Sequence, residues 1–581
     1  MPASAAPRPR LAAAASRMRL LRSTLVFSAL TLVSRVSGYA RDMVQAIVFG
    51  ATGLTDAFVV AYRIPNFLRR IFAEGAFAQA FVPVFSAARQ SGDRQALKEL
   101  LDRIAGTLCA VLLVVTGIGI AAAPGVVAVF APGYLADSER FEAASDMLRI
   151  TFPYLFLVSL TALSGSVLNT FQRFALPALT PILHNLAVIA AALWLAPRMQ
   201  VPVYALAWGV LAAGVIQLLV QVPALLRLGL LPRPRPGFSD PGVRRVLRLM
   251  GPAVFSASVA QVNLLVGTAF ASLLVAGSQT WLYLADRLLE FPIGMIGVAI
   301  GTVLLPTLSR RHAAGDQAAY NAGIDWGVRL VLLLALPATV GLVLLAGPIC
   351  ATLYQHGRFG AHDAQMAALA LAAIALGLPG FMLSKVLAPA FFARQDTATP
   401  MRAAVIVVAV NLVLVSALVL PLRAAGTPGA HAAIALSTGL GGLLQAALLW
   451  TWLRRRGLYR PQRGLGRLLA AMLAGCALMA GLLLAGCASF SPDGGFDGVR
   501  QATQPHLPQT LQWARSEADR QAIDRRVAEL LQQPLGADEA VQLALLNNRG
   551  LQAAFFELGV AEADLVQAGR LPNPGFSFGR S

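Results

Sequence analysis

Residues 34–86 read SRVSGYARDMVQAIVFGATGLTDAFVVAYRIPNFLRRIFAEGAFAQAFVPVFS. Among apolar and small residues this stretch sets Arg35, Arg41, Asp42, Asp56, Arg63, Arg69, Arg70 and Glu74. Its apolar background is long enough to cross a bilayer, for which about 20 mostly apolar residues suffice. A charge at mid-membrane costs at least ~2.5–3.5 kcal/mol on insertion scales, so several persist only where they pair or face a watery cavity. The stretch therefore predicts membrane helices arranged around a charged cavity.

The rest of the chain agrees. Of 581 residues, 57% are hydrophobic and 13% charged, and the mean hydropathy is +0.66, far from the composition of soluble globular domains. The formal charge of +19 falls in short arginine runs between apolar segments, which is a topological pattern and excludes nucleic acid as a partner. Cys109, Cys350 and Cys476 lie inside apolar segments, and the histidines are scattered. No metal site and no cofactor is expected.

Apolar windows recur at 23–48, 56–86, 104–130, 146–170, 176–196, 202–225, 249–275, 280–307, 326–353, 365–391, 401–421, 429–453 and 467–486, about thirteen spans in all. Residues 1–22 form a basic arm. Alternate connections are basic, including Arg227 to Arg248, Arg310-Arg311 and Arg454 to Arg467, while the intervening loops are acidic or uncharged. This asymmetry puts the N-terminus in the cytoplasm.

An internal repeat organises the spans. Pro83, Ser86, Gly92 and Asp93 match Pro306, Ser309, Gly315 and Asp316 at one constant separation, and Arg63 falls within one residue of register with Arg287. The expected fold is all-α: two pseudo-symmetric lobes of about six helices each around a central cavity, with substrate between the lobes. Their bounds are 23–225 and 249–453, joined by a basic cytoplasmic linker at 226–248.

Within the windows, Arg35, Gly38 and Asp42 share one helical face, and Arg70 and Glu74 are spaced to pair. Asp286 and Glu290 form a like-charge i, i+4 couple that needs a bridging cation, with Arg287 beside it. Pro65 and Pro292 are expected to break their helices next to these charges. Several arginines on one cavity suit a phosphate or pyrophosphate. Two blander roles stay open: arginines near helix ends as membrane-surface anchors, and Asp56 as the cap of its own helix.

The segments SRVSGYARD, TDAF, PNFLRRIFAEGAFAQAFVP, NTFQRFALPALTP, YLADRLLEFPIGMIGVAIGTVLLP and VLAPAFFARQDTATP resemble the signature segments of the lipid II flippase (MurJ, or MviN) family over about residues 17–453. The resemblance implies a MATE-like fold and alternating access. It further implies transport of the undecaprenyl-pyrophosphate-linked disaccharide pentapeptide from the cytoplasmic to the outer leaflet of the bacterial inner membrane. The chain would then be a transporter and not an enzyme, coupled to membrane potential or an ion gradient, with the cell-wall synthesis machinery as a partner. Matched motif by motif, the implied cavity residues are Arg35, Arg41, Asp42 and Asp56, then Arg63, Arg69, Arg70 and Glu74, then Asp286, Arg287 and Glu290. The alternatives are a cation-coupled exporter of amphiphiles and a non-transporting cell-wall scaffold.

The end of the chain departs from this pattern. Residues 454–487 hold a basic loop and one apolar run ending in Leu484-Ala485-Gly486-Cys487, which resembles a lipoprotein signal as much as a thirteenth span. Residues 488–581 are polar, and LGADEAVQLALLNNRGLQAAFFELGVAEADLVQAGRLPNPGFSFGR resembles the start of a TolC-like outer-membrane efflux lipoprotein. This segment is either a fusion artefact or a periplasmic appendage. Asp538 is expected to cap a helix in it.

Overall fold

A computed structural model describes residues 9–69, 76–485 and 496–568; Arg70, Glu74 and Cys487 lie outside them. Every regular element among the described residues is helical. The first half comprises α1 (Pro9–Phe49), α2 (Gly53–Arg69), α3 (Ala76–Gln90), α4 (Arg94–Ala121), α5 (Ala123–Phe130), α6 (Ser138–Thr151), α7 (Pro153–Thr170), α8 (Ala175–Ala190) and α9 (Tyr204–Leu228). The second comprises α10 (Pro241–Ser272), α11 (Ser278–Pro292), α12 (Val298–Ala313), α13 (Gln317–Leu344), α14 (Ala346–Tyr354), α15 (Ala361–Ala375), α16 (Leu378–Phe392), α17 (Ala398–Ala424) and α18 (His431–Arg455). There follow α19 (Leu465–Ala485), α20 (Phe496–Thr503), α21 (Glu517–Leu530), α22 (Ala537–Asn547) and α23 (Arg549–Ala568).

Among the described residues, eight helices are long and apolar enough to cross a membrane, or nine if α15 and α16, bent by 41°, count as one span. The remaining expected windows, 23–48, 56–86, 249–275 and 280–307, fall on α1, α2 with α3, α10, and α11 with α12. Of these, α1, α2 and α11 carry the described arginines and carboxylates singled out from the sequence. Singly, α2, α3, α11 and α12 have 17, 15, 15 and 16 residues, short of the about 20 that one span needs.

Pro65 does not break α2, which runs through it to Arg69. Proline has no N–H for the carbonyl one turn back, and here the hydroxyl of Thr151 donates to that carbonyl, Ala61 O, at 3.2 Å. Pro292 does end α11, and the chain continues through a π-turn, Ile293–Gly297, into α12.

The repeat is visible in backbone detail. Asp93 caps α4, its carboxylate accepting from Gln95 N and Ala96 N, both at 2.9 Å, and Asp316 caps α13 by accepting from Ala319 N at 2.9 Å. The glycine before each cap is left-handed, with φ of 78° at Gly92 and 70° at Gly315. Gln172 and Gln395, whose φ values are 58° and 60°, stand at the same separation as these glycines. A left-handed non-glycine residue is uncommon, so its recurrence in register marks duplicated backbone.

Buried apolar side chains form one cluster drawn mainly from residues 271–459 and two from residues 49–246. In lipid, helix association depends on close packing and small residues rather than on expulsion of water. A Cβ on Gly377 would overlap the backbone of Gly439, and one on Gly380 the backbone of Gly442. These glycines let α16 pack directly on α18.

The connection between the halves is held along its length. Arg233 N donates to Asp102 Oδ1 at 2.7 Å, Arg235 N to Asp102 O at 3.1 Å and Gly237 N to Thr107 Oγ1 at 3.1 Å. Arg103 pairs with Asp240 at 2.5 Å, and Asp240 in turn caps α10. Hydrogen bonds outweigh burial in keeping the Asp240 carboxyl below the usual range.

Residues Met1–Leu473 and Ala474–Ser581 form separate compact units. In the second, Phe496, Trp513 and Phe555 pack with ring centroids 4.8–6.5 Å apart. The N-cap of α22 is Gly536 rather than Asp538, and the Asp538 side chain accepts instead from Gln509 Nε2 at 3.2 Å.

Gly380→Ala tests the α16–α18 contact. Alanine gains helix propensity over glycine by about 1 kcal/mol, but overlap with backbone costs about 1–3 kcal/mol and decides the sign. The thermal midpoint of the purified protein in detergent is expected to fall, and an unchanged or higher midpoint would contradict the packing.

Candidate functional site

A cavity of about 610 Å³ lies chiefly between α1, α2, α7, α8, α9 and α11. One wall is cationic, with Arg35 and Arg41 from α1, Arg63 and Arg69 from α2, and Arg287 from α11. Asp286 and Glu290 line the same space. The facing wall is neutral and polar, with Thr161, Ser166, Asn169, Thr180 and Gln217.

Asp42 lies behind the cationic wall, with no exposed surface. Its Oδ1 accepts from Arg41 Nη2 at 2.7 Å, Arg41 Nε at 3.0 Å and the Tyr283 hydroxyl at 3.0 Å. Its Oδ2 accepts from Arg287 Nε at 2.9 Å. Arg41 also donates to Asn185 Oδ1 at 3.2 Å, and the Tyr39 hydroxyl donates to the Arg287 carbonyl at 2.8 Å. A desolvated carboxylate is tolerable only when its lone pairs are filled by cations and donors, and here α1 and α11 fill them jointly.

The like-charge couple of Asp286 and Glu290 needs no bridging cation, because Arg287 Nη1 pairs with Glu290 Oε2 at 2.7 Å. Arg35 packs its guanidinium against Gly294, where a Cβ would collide with it. Arg63, nearly buried, donates to Gln279 Oε1 at 2.9 Å and Thr268 Oγ1 at 3.1 Å in the second half. Arg69 Nε donates to Asn66 Oδ1 at 2.9 Å.

Asp56 is not part of the cavity wall, and it does not cap its own helix. Its carboxylate accepts from Gly277 N at 2.8 Å, Thr280 N at 2.9 Å and the Thr280 hydroxyl at 2.6 Å. The N-cap of α11, Gly277, has no side chain to do this, so a residue of the first half caps a helix of the second. Further joints lie on the same side: Arg358 N donates to Ile47 O, in the last turn of α1, at 2.9 Å, and Gly133 N donates to Ser272 Oγ at 3.0 Å. By contrast Asn66, Arg69, Asn169 and Pro177 line the cavity toward the side on which α1 begins. The two halves are thus latched on one side of a charged chamber that extends toward the other.

The sequence pattern missed Asn185, Tyr283 and Tyr39. Neutral polar residues within apolar windows were the available signal.

The fold is shared with a solved transporter. A solved structure of a multidrug resistance MATE family transporter of the MOP superfamily, in an inward-facing conformation, superposes with a TM-score of 0.58 at 15% identity, over 78% of this chain and 99% of that one. The lipid II flippase MurJ family profile matches residues 45–496. A curated lipid II flippase MurJ of Burkholderia cenocepacia is 45% identical over 470 residues, 80% of this chain and 90% of the relative. A probable lipid II flippase MurJ of Vibrio cholerae is 43% identical over 473 residues, covering 80% and 89%. A solved lipid II flippase MurJ in an inward closed conformation superposes with a TM-score of 0.67 at 25% identity, over 79% of this chain and 92% of that one. The chain belongs to the lipid II flippase MurJ family.

Asp42→Asn removes the charge that both guanidiniums share, and loss of one partner from a buried pair costs about 3–5 kcal/mol. Asp56→Ala leaves the first turn of α11 uncapped at about 1–2 kcal/mol. The thermal midpoint is expected to fall in both, further for Asp42→Asn. Amide hydrogen exchange at Gly277 and Thr280 is expected to accelerate in Asp56→Ala, and unchanged exchange would refute the capping role.

Proposed function

We propose that the protein is a lipid II flippase, moving the undecaprenyl-pyrophosphate-linked disaccharide pentapeptide from the cytoplasmic to the periplasmic leaflet by alternating access. The observation that carries this reading is a chamber whose arginines come from both halves of the chain and whose far side is held shut by joints between those halves. Guanidinium groups bind pyrophosphate through paired N–H donors, and the neutral polar wall suits sugar and peptide groups.

Two pseudo-symmetric lobes, 23–225 and 249–453, would rock about the chamber, with about thirteen spans in all. Arg35, Arg41, Arg69 and Arg287 hold the pyrophosphate, and Arg70 and Glu74 join them by motif. Asp42, Asp286 and Glu290 are the counter-charges. Asp56 and Arg63 act in the latch. An entering pyrophosphate competes with Asp42 for Arg41 and Arg287, which weakens the far-side joint as the site fills. The basic connections favour a cytoplasmic N-terminus and residence in the inner membrane, so the latched side is periplasmic. Membrane potential or an ion gradient resets the carrier: one charge moved through 100 mV is worth ~2.3 kcal/mol. The cell-wall synthesis machinery is the partner that consumes the product, and the segment beyond residue 487 is a TolC-like appendage without a part in transport.

The test is complementation of a conditional flippase-depletion strain. The whole chain is expected to prevent lysis and Arg287→Ala to fail at equal membrane abundance. Residues 1–487, which keep the last apolar span, are expected to rescue as well, since the appendage has no part in transport. Failure of the whole chain, or rescue by Arg287→Ala, would overturn the reading; a scaffold without transport would tolerate that substitution.

A further inference from the structure

Seven residues of α7 line the cavity, Tyr154 and, further along the helix, the six residues Val158, Thr161, Ala162, Gly165, Ser166 and Asn169, and it is these six that have counterparts in the other half. The separation that relates Gly92 to Gly315 and Gln172 to Gln395 carries them onto Phe381, Ser384, Lys385, Ala388, Pro389 and Phe392. Those six are the residues by which α16 lines a second pocket, of about 700 Å³, walled also by α12, the π-turn before it and Gln445 of α18. The duplicated helix therefore presents the same face to a hollow in both of its copies.

The two hollows differ in chemistry. The first holds several arginines and two carboxylates. The second has one ionised group, Lys385, in place of Ala162, and no acidic residue on its wall. Lys385 stands midway along α16, with no hydrogen bond or ion pair among the described residues. Around it are Phe381, Leu305, Ile293 and Phe392, the last 40% exposed at the end of α16. Gly297 lies beside the Lys385 stem, where a Cβ would sit 3.4 Å from Lys385 Cγ, an ordinary contact distance.

We propose that this pocket is a binding site for an anionic membrane glycerophospholipid, with its phosphodiester on Lys385 and an acyl chain along Phe381 and Phe392. One ammonium matches the single charge of a phosphodiester. A pyrophosphate would call for the paired donors of guanidinium groups, which the first cavity has and this one lacks. The apolar wall selects an amphiphile over a free anion, and Ser384 and Gln445 supply neutral hydrogen-bonding groups for the glycerol headgroup. The site is independent of what the first cavity transports.

The experiment uses the full chain in nanodiscs with photoreactive-chain phosphatidylglycerol, and with phosphatidylcholine bearing the same chain as the zwitterionic control. Crosslinks are mapped by peptide mass spectrometry. Phosphatidylglycerol is expected to label the α16 peptide, and phosphatidylcholine weakly. Lys385→Gln is expected to lower the label about tenfold, Lys385→Arg to retain it, and Ala388→Trp, which fills the pocket, to abolish it, with thermal midpoints confirming that each variant folds. Equal labelling of Lys385→Gln and the parent would overturn the proposal. So would displacement of the label by inorganic phosphate, which would make this a simple anion site. Displacement by polyprenyl pyrophosphate dependent on Lys385 would assign the pocket to a different lipid and overturn it equally.

Discussion

A carboxylate without access to water governs this structure. Asp42 has no exposed surface, and its two oxygens take donors from Arg41 of its own helix and from Tyr283 and Arg287 of the other half. Buried ionic groups contribute little net stability when compared with apolar packing, but a buried charge left without its partner is costly, which selects against arrangements that leave Asp42 unpaired. The position of α1 against α11 follows from that selectivity. The Asp56 cap, the Arg63 bonds, the Ile47–Arg358 backbone contact and the Gly133–Ser272 bond join the halves in that same register.

Charge in an apolar window was a sufficient signal for Arg35, Arg41 and Arg287, because the penalty of leaving such a group in lipid restricts where its helix can face. The same logic located Asp42 but not its neighbours. Asn185 and Tyr283 are neutral, so their cost in an apolar segment is small and leaves little trace in composition. Asp56 shows a different limit. The Thr55-Asp56 pair carries helix-capping chemistry, and capping is what the side chain does, yet the helix it caps is more than two hundred positions away in sequence. Pro65 is a third case, since a hydroxyl from α6 compensates for the missing amide and the helix continues. Local rules named the chemistry in each instance; the partner was a tertiary fact.

Duplication accounts for the backbone better than for the surfaces. The caps at Asp93 and Asp316 and the left-handed turns at Gln172 and Gln395 are shared because they set where helices start and stop. The side chains on the matching faces of α7 and α16 have diverged, Gly165 to Ala388 and Ala162 to Lys385. One half kept small residues beside a charged chamber, whereas the other acquired aromatic walls around a solitary ammonium.

The segment joining the halves behaves as a splint. Its amides at Arg233, Arg235 and Gly237 are spent on Asp102 and Thr107 of α4, and Arg103 ties down the residue that opens α10. A loose tether would let the second half pivot anywhere within its reach. With the splint in place, the start of α10 travels with α4, so any rotation that separates the far-side joints has to be taken up as bending within α10. The loop that looks like the natural hinge in the sequence is the part of the connection with the least freedom to be one.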